Sequence, residues 1–234
     1  MTGAEPLVGA YVLHARRYRD SSLLLELLTR ECGRVAAIAR GALRARRPDT
    51  FFQPFQALLV GLRGRGDVLS VTAAEPAGAP VALRGRRLYC GLYLNELVQY
   101  MTARHDPVAA LFDDYVEALE RLPAADDVEP VLRRFEVGLL GHLGIGLELT
   151  RDAAGDPIDP AQRYGYDVSA GAVPATTGMP DTISGSTLLA LHENRLADDG
   201  DRREARLLLR RVLNHHLDGR PLKSRELFAS GKTS

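Results

Sequence analysis

Short apolar runs separated by turn signals make up the first 80 residues, and this pattern is typical of β-strands. The runs begin with VGAYVLHARRY and continue through SSLLLELLT (Ser21 to Thr29) and RVAAIAR (Arg34 to Arg40). Two more runs flank a glycine-punctuated turn from Arg63 to Asp67. Five short strands in succession predict a small closed barrel, because closure removes exposed strand edges. A five-stranded barrel of this size is most often an OB-fold, which is the fold we expect here.

Beyond residue 80 the apolar positions recur with a helical period. An apolar residue returns every four positions from Tyr89 to Met101, which predicts a mostly buried helix over 86–101. Asn95 and Glu96 lie within this helix and require polar partners. Further helices are predicted from Pro107 onward, over 129–143 with Gly144 as the C-cap, from a cap at Ser186 to Leu196, and from a capping box of Asp201 and Glu204 to Leu217.

The segment 145–185 lacks a sustained period and is rich in Gly, Pro, Asp and Thr. We expect mostly loop there, with one strand in RYGYDVS (163–169). The tail GRPLKSRELFAS has Leu222, Leu227 and Phe228 around a polar run, so we expect it to dock onto the fold. The predicted fold class is α+β, with an OB-fold domain over 1–80 and an all-helical domain over 81–234 that contains the irregular segment 145–185.

Charge is distributed unevenly along a chain whose formal net charge is zero. Residues 1–80 carry 11 basic and 7 acidic side chains, residues 81–150 carry 7 and 11, and residues 151–234 carry 12 and 12. Arginines and phenylalanines are concentrated in ARGALRARRPDTFFQPF (Ala39 to Phe55). Cations that neutralise phosphates, beside rings that stack on bases, are what a single-stranded nucleic-acid surface requires. The alternative is a solvated basic loop that leads into a strand whose phenylalanines are buried.

The remaining residues argue against several other classes of protein. Two cysteines, Cys32 and Cys90, are too few for a disulfide framework or a four-cysteine zinc site. No signal-peptide pattern and no apolar run of about 18 residues is present, so we expect a cytoplasmic, nucleoid-associated protein without a membrane partner. Neither a phosphate-binding loop, a dinucleotide fingerprint nor a nucleophile elbow occurs, and His215 and His216 are poorly placed to share a metal. We therefore expect no catalytic residues, cofactor or metal.

Segments along most of the chain resemble the bacterial RecO family of recombination mediators. They span Tyr11 to Phe228 and include YVLHARRY, LTRECGRVAAIARGALR, GRGDVLSV, LYCGLYLNELV, LRRFEVGLLGHLG and GRPLKSRELF. The resemblance implies an N-terminal OB-fold, a helical domain and a non-catalytic role in DNA repair and recombination. RecO family members bind single- and double-stranded DNA, anneal complementary strands and contact the single-strand-binding protein SSB. They also work with RecR, and through it with RecF and RecA, to load RecA onto SSB-coated DNA.

One departure from the family concerns the segment after the third predicted helix. Many members carry a four-cysteine zinc module there, whereas residues 147–180 of this chain contain no cysteine. The chain therefore resembles the zinc-free branch of the family, and we expect no metal.

The predicted DNA contacts lie on strand ends and loops of the barrel, as charge and the resemblance both imply. Contacts from several arginines to phosphates would make binding salt-dependent and tolerant of sequence. Phe51 and Phe52 are candidates either to stack on bases or to be core, and Phe55, beside Pro54, is expected in the barrel core. The predicted arginines are Arg34, Arg40, Arg44, Arg46, Arg47, Arg63 and Arg65.

A partner site is implied in the helical domain, because this family engages SSB through the acidic, hydrophobic C-terminal tail of SSB. Such a ligand requires an arginine at the rim of an apolar groove. The candidates are Arg133 and Arg134 with Leu132, and the alternative is that the arginines pair with Glu129 or Glu136.

Two further expectations concern surface charge and function. One helix face carries Arg202, Arg203, Arg206 and Arg210, and we expect it to be plain solvent-exposed surface, with an extension of the DNA path as the alternative. The second function compatible with the residues is an OB-fold RNA-binding or complex-assembly scaffold. A strand-annealing assay separates the two functions, because a scaffold should not accelerate annealing.

Overall fold

A computed structural model describes residues 6–44 and 52–230 of the chain, with side chains to residue 228. The residue contacts divide the chain into two compact units: Met1–Ala124 together with Leu222–Ser234, and Ala125–Pro221. The strands end at Pro76 and the helices begin at Arg86, on either side of residue 80, where the domain boundary stays a prediction. The contacts, however, unite the strands with the first two helices and the C-terminal helix in one unit.

The N-terminal strands form a closed barrel, which confirms the predicted OB-fold domain. Its strand order is β1-β2-β3-β5-β4, in which β3 and β5 are parallel and the other neighbours are antiparallel. The strands are β1 (Val8–Tyr18), β2 (Ser22–Thr29), β3 (Gly33–Ala39), β4 (Ala57–Arg63) and β5 (Val68–Pro76).

Alternation along β2 and β3 determines which side chains fill the barrel. Val35, Ala37 and Ala39 point inward from β3, and every second residue of β2 from Leu23 to Leu27 does the same. A strand places successive side chains on opposite faces, so the residues between them lie on the outside of the barrel. The barrel core is therefore a consequence of the period of two in the sequence.

Helices account for most of the chain after residue 85. They confirm the helical period predicted there, although some begin and end at other residues. The helices are α1 (Arg86–Met101), α2 (Ala109–Arg121), α3 (Glu129–His142), α4 (Gly185–His192), α5 (Asp199–His216) and α6 (Lys223–Ser230).

Asn95 on α1 finds the polar partners that its buried position requires. The register of β1 against β2 shifts between Val12 and His14, and Asn95 Nδ2 donates to the Leu13 carbonyl at this bulge, at 3.0 Å. The Tyr115 hydroxyl of α2 donates to Asn95 Oδ1 at 2.7 Å, and burial raises the pKa of that hydroxyl well above its ordinary value. One buried amide thus joins the barrel to two helices.

Glu96, the other polar residue of α1, holds the C-terminal helix. Its carboxylate accepts hydrogen bonds from the backbone N–H groups of Lys223, at 3.1 Å, and Ser224, at 2.9 Å. A carboxylate at this position satisfies N–H groups that a helix cannot pair internally. The Phe228 ring also meets Tyr89 edge to face, with centroids 5.9 Å apart. The tail therefore docks onto the fold, as predicted.

The second unit contains more regular structure than its sequence pattern predicts. The strand predicted in RYGYDVS is β6 (Arg163–Asp167), but β7 (Gly171–Pro174) and β8 (Ile183–Ser184) join it in a small sheet of order β7-β6-β8. Most of 145–185 is loop, as expected, but the strands β7 and β8 were not predicted. They are four and two residues long, too short to produce a recognisable period.

The caps of α4 and α5 differ from the predicted ones. Ser184, and not Ser186, caps α4 by accepting a hydrogen bond from the Thr187 N–H. Asp198, and not Asp201, caps α5 by accepting from the Asp201 N–H at 2.8 Å. In both helices another residue that can cap stands two or three positions away, so the sequence alone was ambiguous.

Candidate nucleic-acid interface

Two turns meet at one end of the barrel and bring together arginines that are distant in sequence. The β1–β2 turn contains Arg19, whose φ of 53° is left-handed. After β3 the chain makes a short 3-10 turn over Ala42–Arg44. The Leu43 N–H donates to the Ser21 carbonyl at 3.1 Å and ties the two turns together. Arg19, Arg40 and Arg44 are thereby brought to the same end of the barrel, and all three are exposed.

A row of paired residues crosses all five strands on the outside of the barrel. Arg16 on β1 is opposite Leu24 on β2, and Leu24 is opposite Ile38 on β3. Ile38 pairs with Ser70 on β5, and Ser70 pairs with Arg63 on β4. Neighbouring strands lie about 4.8 Å apart, so the two arginines at the ends of the row are about 19 Å apart along the surface. Between them lie half-buried aliphatic side chains and a serine.

The arginines of these turns and strands form one positively charged set, here termed the basic surface. Its two nearby acids, Asp20 and Asp67, are exposed as well. Among the residues that the structure describes, no carboxylate lies within ion-pair distance of Arg16, Arg17, Arg40, Arg44 or Arg65. Like charges that lack counter-charges attract a polyanion strongly. The members of the basic surface, all exposed, are Arg16, Arg17, Arg19, Arg40, Arg44, Arg63 and Arg65.

Arg34, a predicted DNA contact, has a structural role instead. Its Nη1 donates to Glu26 at 3.1 Å, and its Nε and Nη2 donate to the Thr102 hydroxyl and carbonyl at 3.1 and 2.7 Å. Its side chain is only 13% exposed. Glu26 also pairs with Arg104. The prediction for Arg34 is corrected, because these donors hold β3 to the end of α1 and are not available to phosphates.

The phenylalanines agree with the prediction in part. Phe52 is half-buried and packs against the barrel core, which favours the core alternative over base stacking. Phe55 is buried, as expected, but its ring packs outside the barrel against Gly91 of α1. A Cβ on Gly91 would come within 2.8 Å of that ring. Arg46, Arg47 and Phe51, also predicted to contact DNA, lie outside the described residues.

The sequence reasoning missed the contribution of β1 to the basic surface. Arg16, Arg17 and Arg19 stand at the end of β1 and in the turn after it, where the strand extends past its pairing with β4. A signal was present: the apolar run VGAYVL ends before His14, and HARRYR follows without any acid. A strand that continues after its apolar run ends projects beyond the core.

Comparison with known proteins decides the family. The family model described as Recombination protein O N terminal matches residues 7–79, and the model described as Recombination protein O C terminal matches residues 83–226. The chain belongs to the RecO family. It is 47% identical over 223 residues to a protein of Methylococcus capsulatus named DNA repair protein RecO, covering 94% of this chain and 92% of that protein.

Other relatives named DNA repair protein RecO are similar over nearly their whole length. One from Halorhodospira halophila is 44% identical over 225 residues, covering 94% of this chain and 95% of the relative. One from Escherichia coli O139:H28 is 39% identical over 223 residues, with 94% and 92% covered. The resemblance inferred from the sequence is thus confirmed, together with membership of a DNA repair family.

The partner-site residues inferred from RecO family membership lie on α3. Arg133 is 5% exposed, its Nη2 donates to Glu136 at 2.5 Å, and its Nη1 lies 3.7 Å from Glu129. The structure therefore has the intrahelical pairing that was the alternative for this arginine. Leu132 is buried as well, so neither it nor Arg133 forms an open groove. Arg134 is exposed.

In this RecO family member, the segment 147–180 is organised by side-chain hydrogen bonds to its own backbone. The Glu148 carboxylate accepts from the Thr150 N–H at 2.8 Å and from the Thr150 hydroxyl, and these bonds lower the pKa of Glu148. Asp152 accepts from the N–H groups of Ala154 and Asp156 at 2.9 and 3.0 Å. Such turns replace backbone pairing where no regular element exists.

The described residues contain neither a candidate metal site nor a membrane-spanning helix. Across 6–44 and 52–230, no group of three or more His, Cys, Asp or Glu side chains could hold a metal ion. Within the same ranges, no helix has the length and apolar content needed to cross a membrane.

Proposed function

We propose that this RecO family protein is a non-catalytic recombination mediator. It binds single- and double-stranded DNA through the basic surface, anneals complementary strands and, with RecR, helps load RecA onto SSB-coated DNA. Membership of a DNA repair family supports the general role. The strand-annealing and loading steps rest on what RecO family members are known to do.

One observation carries the DNA-binding part of the proposal. Seven exposed arginines lie on one barrel, and five of them have no described carboxylate within ion-pair distance. The OB-fold binds oligonucleotides across strands β2 and β3 and along the β1–β2 and β4–β5 loops. Arg19 and Arg65 lie in these two loops, and the other arginines lie at the ends of β1 and β4 and after β3. They contact phosphates, which are the same in every sequence, so the proposed binding is sequence-tolerant.

A salt titration tests the proposed DNA surface. The variant Arg16→Ala/Arg40→Ala/Arg44→Ala should bind a single-stranded oligonucleotide more weakly. The slope of log K against log salt should fall by about 2, because each phosphate contact contributes about 0.7. Fluorescence anisotropy at several salt concentrations measures both quantities. The matched control is Arg121→Ala, because Arg121 is equally exposed but pairs with Glu117 on α2. An unchanged affinity and slope in the triple variant would contradict the proposal.

An annealing assay separates this function from the RNA-binding or scaffold alternative. Complementary labelled oligonucleotides are mixed with the protein, with and without SSB, and duplex formation is followed by fluorescence energy transfer. A mediator accelerates duplex formation on SSB-coated strands and on naked strands, and the triple variant does so less. A scaffold leaves both rates unchanged, which would rule out the mediator proposal in favour of its alternative.

The SSB partnership is the second part of the proposal. The acidic, hydrophobic tail of SSB would engage α3 of the second unit, where Arg134 is exposed next to the buried Leu132 and Phe135. An exposed guanidinium can pair with a carboxylate of the tail. Arg133 does not contact the tail in this proposal, because its guanidinium is buried and pairs within α3 with Glu129 and Glu136.

Calorimetric titration of a synthetic SSB tail peptide tests the assignment to Arg134. Arg134→Ala should weaken peptide binding by a factor of about 10, the loss expected for one charge-assisted hydrogen-bonded pair. Arg203→Ala, an exposed arginine on α5, is the control. Equal affinity of the peptide for Arg134→Ala and the unsubstituted chain would remove Arg134 from the proposal.

A further inference from the structure

Tyr18 stands at the outer edge of the basic surface. It is the last residue of β1 and is paired with Ser22 of β2, one step beyond the pair of Arg16 and Leu24. Because side chains alternate along a strand, Tyr18 lies on the same face as Arg16 and Leu24. That face is the outside of the barrel, and the Tyr18 side chain is only partly buried there.

Arg19 extends the aromatic surface of Tyr18 with a cation. Its guanidinium lies over the Tyr18 ring, with the central carbon 5.3 Å from the ring centroid. This is within the range of a cation–π contact. The backbone of Arg19 is left-handed, with φ of 53°, in the turn that follows β1. Tyr18 and Arg19 thus present an aromatic ring and a positive charge side by side. A base can stack on the ring, and a phosphate can pair with the charge.

The other barrel rings that the structure describes are engaged in packing. Tyr11 is buried and meets Phe112 and Tyr115 of α2 with ring centroids 6.0 and 5.5 Å away. Phe52 packs on the barrel core and Phe55 on α1. Among the described rings of the barrel, Tyr18 is therefore the one placed on the outer face beside the arginines.

We infer that Tyr18 and Arg19 form the base-stacking site of the basic surface, and that this site makes the protein prefer single-stranded over double-stranded DNA. The inference rests on the proposed DNA-binding function and deepens it. Stacking needs an unpaired base whose face is accessible, which a duplex does not offer. Arginine contacts to phosphates, in contrast, are available in both forms of DNA.

The test compares oligo(dT) with a duplex of the same length for three variants of the full chain. Tyr18→Leu removes the ring but retains an apolar side chain, Tyr18→Phe retains the ring, and Arg19→Gly removes the cation at a backbone position that glycine adopts without strain. Tyr18→Leu should weaken oligo(dT) binding by a factor of about 10, as for loss of one base stack. It should change duplex binding by less than about twofold, while Tyr18→Phe binds both as the unsubstituted chain does. Arg19→Gly should weaken both.

A second readout detects base stacking directly and does not depend on a change in affinity. An oligonucleotide that contains 2-aminopurine changes its fluorescence when that base stacks on a ring, so scanning the fluorophore along the strand should find a position that responds to the protein. The response should be lost with Tyr18→Leu and kept with Tyr18→Phe.

The outcomes separate this inference from the function on which it rests. DNA binding with a normal salt slope that Tyr18→Leu leaves unchanged overturns the stacking site alone. The stacking site is also overturned if Tyr18→Leu loses affinity equally for oligo(dT) and for duplex. It is overturned as well if the 2-aminopurine signal persists in Tyr18→Leu. Absence of salt-dependent DNA binding by the unsubstituted chain overturns the proposed function as well.

Discussion

Arg133 is a buried cation whose role is decided by its immediate neighbours. It lies between Glu136, which is 1% exposed, and Glu129, which also accepts a hydrogen bond from Arg206 of α5 at 3.3 Å. Charges removed from water are tolerated only when paired, and the cost of breaking such a pair exceeds what the pair contributes. The same residue type at position 134, one place along the helix, is exposed.

Removal of the Arg133 side chain should destabilise the protein strongly. Arg133→Met leaves the Glu136 carboxylate buried without its cation, so we expect the free energy of unfolding to fall by about 3–5 kcal/mol. The double variant with Glu136→Leu should recover much of that loss, because both buried charges are then gone. Urea denaturation measures each value. Arg121→Met, which breaks the exposed pair with Glu117, should cost about 0.5 kcal/mol or less.

Gly33 allows the segment after α1 to lie against the β2–β3 hairpin. Its φ is 66°, and a Cβ there would lie 2.2 Å from the carbonyl oxygen of Asp106. Gly41 has a similar φ of 71°, but a Cβ would meet nothing within 4 Å. A side chain at Gly41 would therefore meet only backbone strain, whereas a side chain at Gly33 would meet both strain and a clash with the backbone of Asp106.

Alanine at these two positions should have unequal costs. Gly41→Ala should cost about 1–2 kcal/mol, the strain of a left-handed residue with a side chain. Gly33→Ala adds the clash with Asp106 and should cost clearly more, with loss of hydrogen-exchange protection in residues 102–107. Equal costs in thermal or urea unfolding would show that this segment moves away easily, contrary to the close approach in the structure.

At the scale of elements, Glu204 connects α5 to the small sheet of the second unit. Its carboxylate accepts from the Ser184 N–H of β8 and from Arg163 of β6, both at 2.7 Å. Partial burial acts to raise the pKa of Glu204, but these hydrogen bonds outweigh it, so the pKa lies below its ordinary value. The ionised form is therefore the one that holds the three elements together.

Stability of the second unit should depend on pH through this carboxylate. A lowered pKa in the folded state means that the stabilisation is complete above the ordinary glutamate pKa of about 4.3 and is lost as the pH falls through the lowered value. We expect Glu204→Gln to unfold with a weaker pH dependence below about pH 4.3 than the unsubstituted chain. Thermal unfolding followed by circular dichroism at a series of acidic pH values measures this. Identical pH profiles for Glu204→Gln and the unsubstituted chain would show that Glu204 does not contribute to the pH dependence of stability.

Element type was predictable wherever an apolar period was long enough. The barrel strands and α1 to α3 follow from periods of two and of about four residues, and these patterns persist over seven residues or more. The strands β7 and β8 were not predictable, since pairing with β6 and not their own pattern makes them strands. The caps at Ser184 and Asp198 were misassigned because several residues of the right type are adjacent.

At the scale of the whole molecule, the two units differ in charge although the chain is neutral. The unit of 1–124 and 222–234 has 19 basic and 14 acidic residues, whereas the unit of 125–221 has 11 and 16. The proposed DNA contacts thus belong to a unit with a formal charge of +5, and the other unit carries −5. A polyanion is attracted to the first and repelled by the second.

This contrast predicts which exposed arginines matter for DNA. Arg203 and Arg210 of α5 are as exposed as Arg16 and Arg40 of the barrel but belong to the acidic unit. Arg203→Ala/Arg210→Ala should change oligonucleotide affinity by less than about twofold, whereas Arg16→Ala/Arg40→Ala should reduce the salt slope by about 1.4, or 0.7 for each contact. Anisotropy titrations on the two double variants provide the comparison. Equal losses would extend the DNA path to the second unit.

The sequence by itself determined the longer elements, the α+β class, the family and the basic character of the N-terminal region. These properties depend on local period and composition, or on similarity that spans the chain. The tertiary structure decided which arginines belong together, because strand register and the contact between two turns bring Arg16 and Arg19 to Arg40, Arg44 and Arg63. It also decided that Arg34 is used internally, since no local pattern specifies which distant carbonyl a long side chain reaches, and it selected the intrahelical pairing of Arg133 from the two alternatives that the sequence left open.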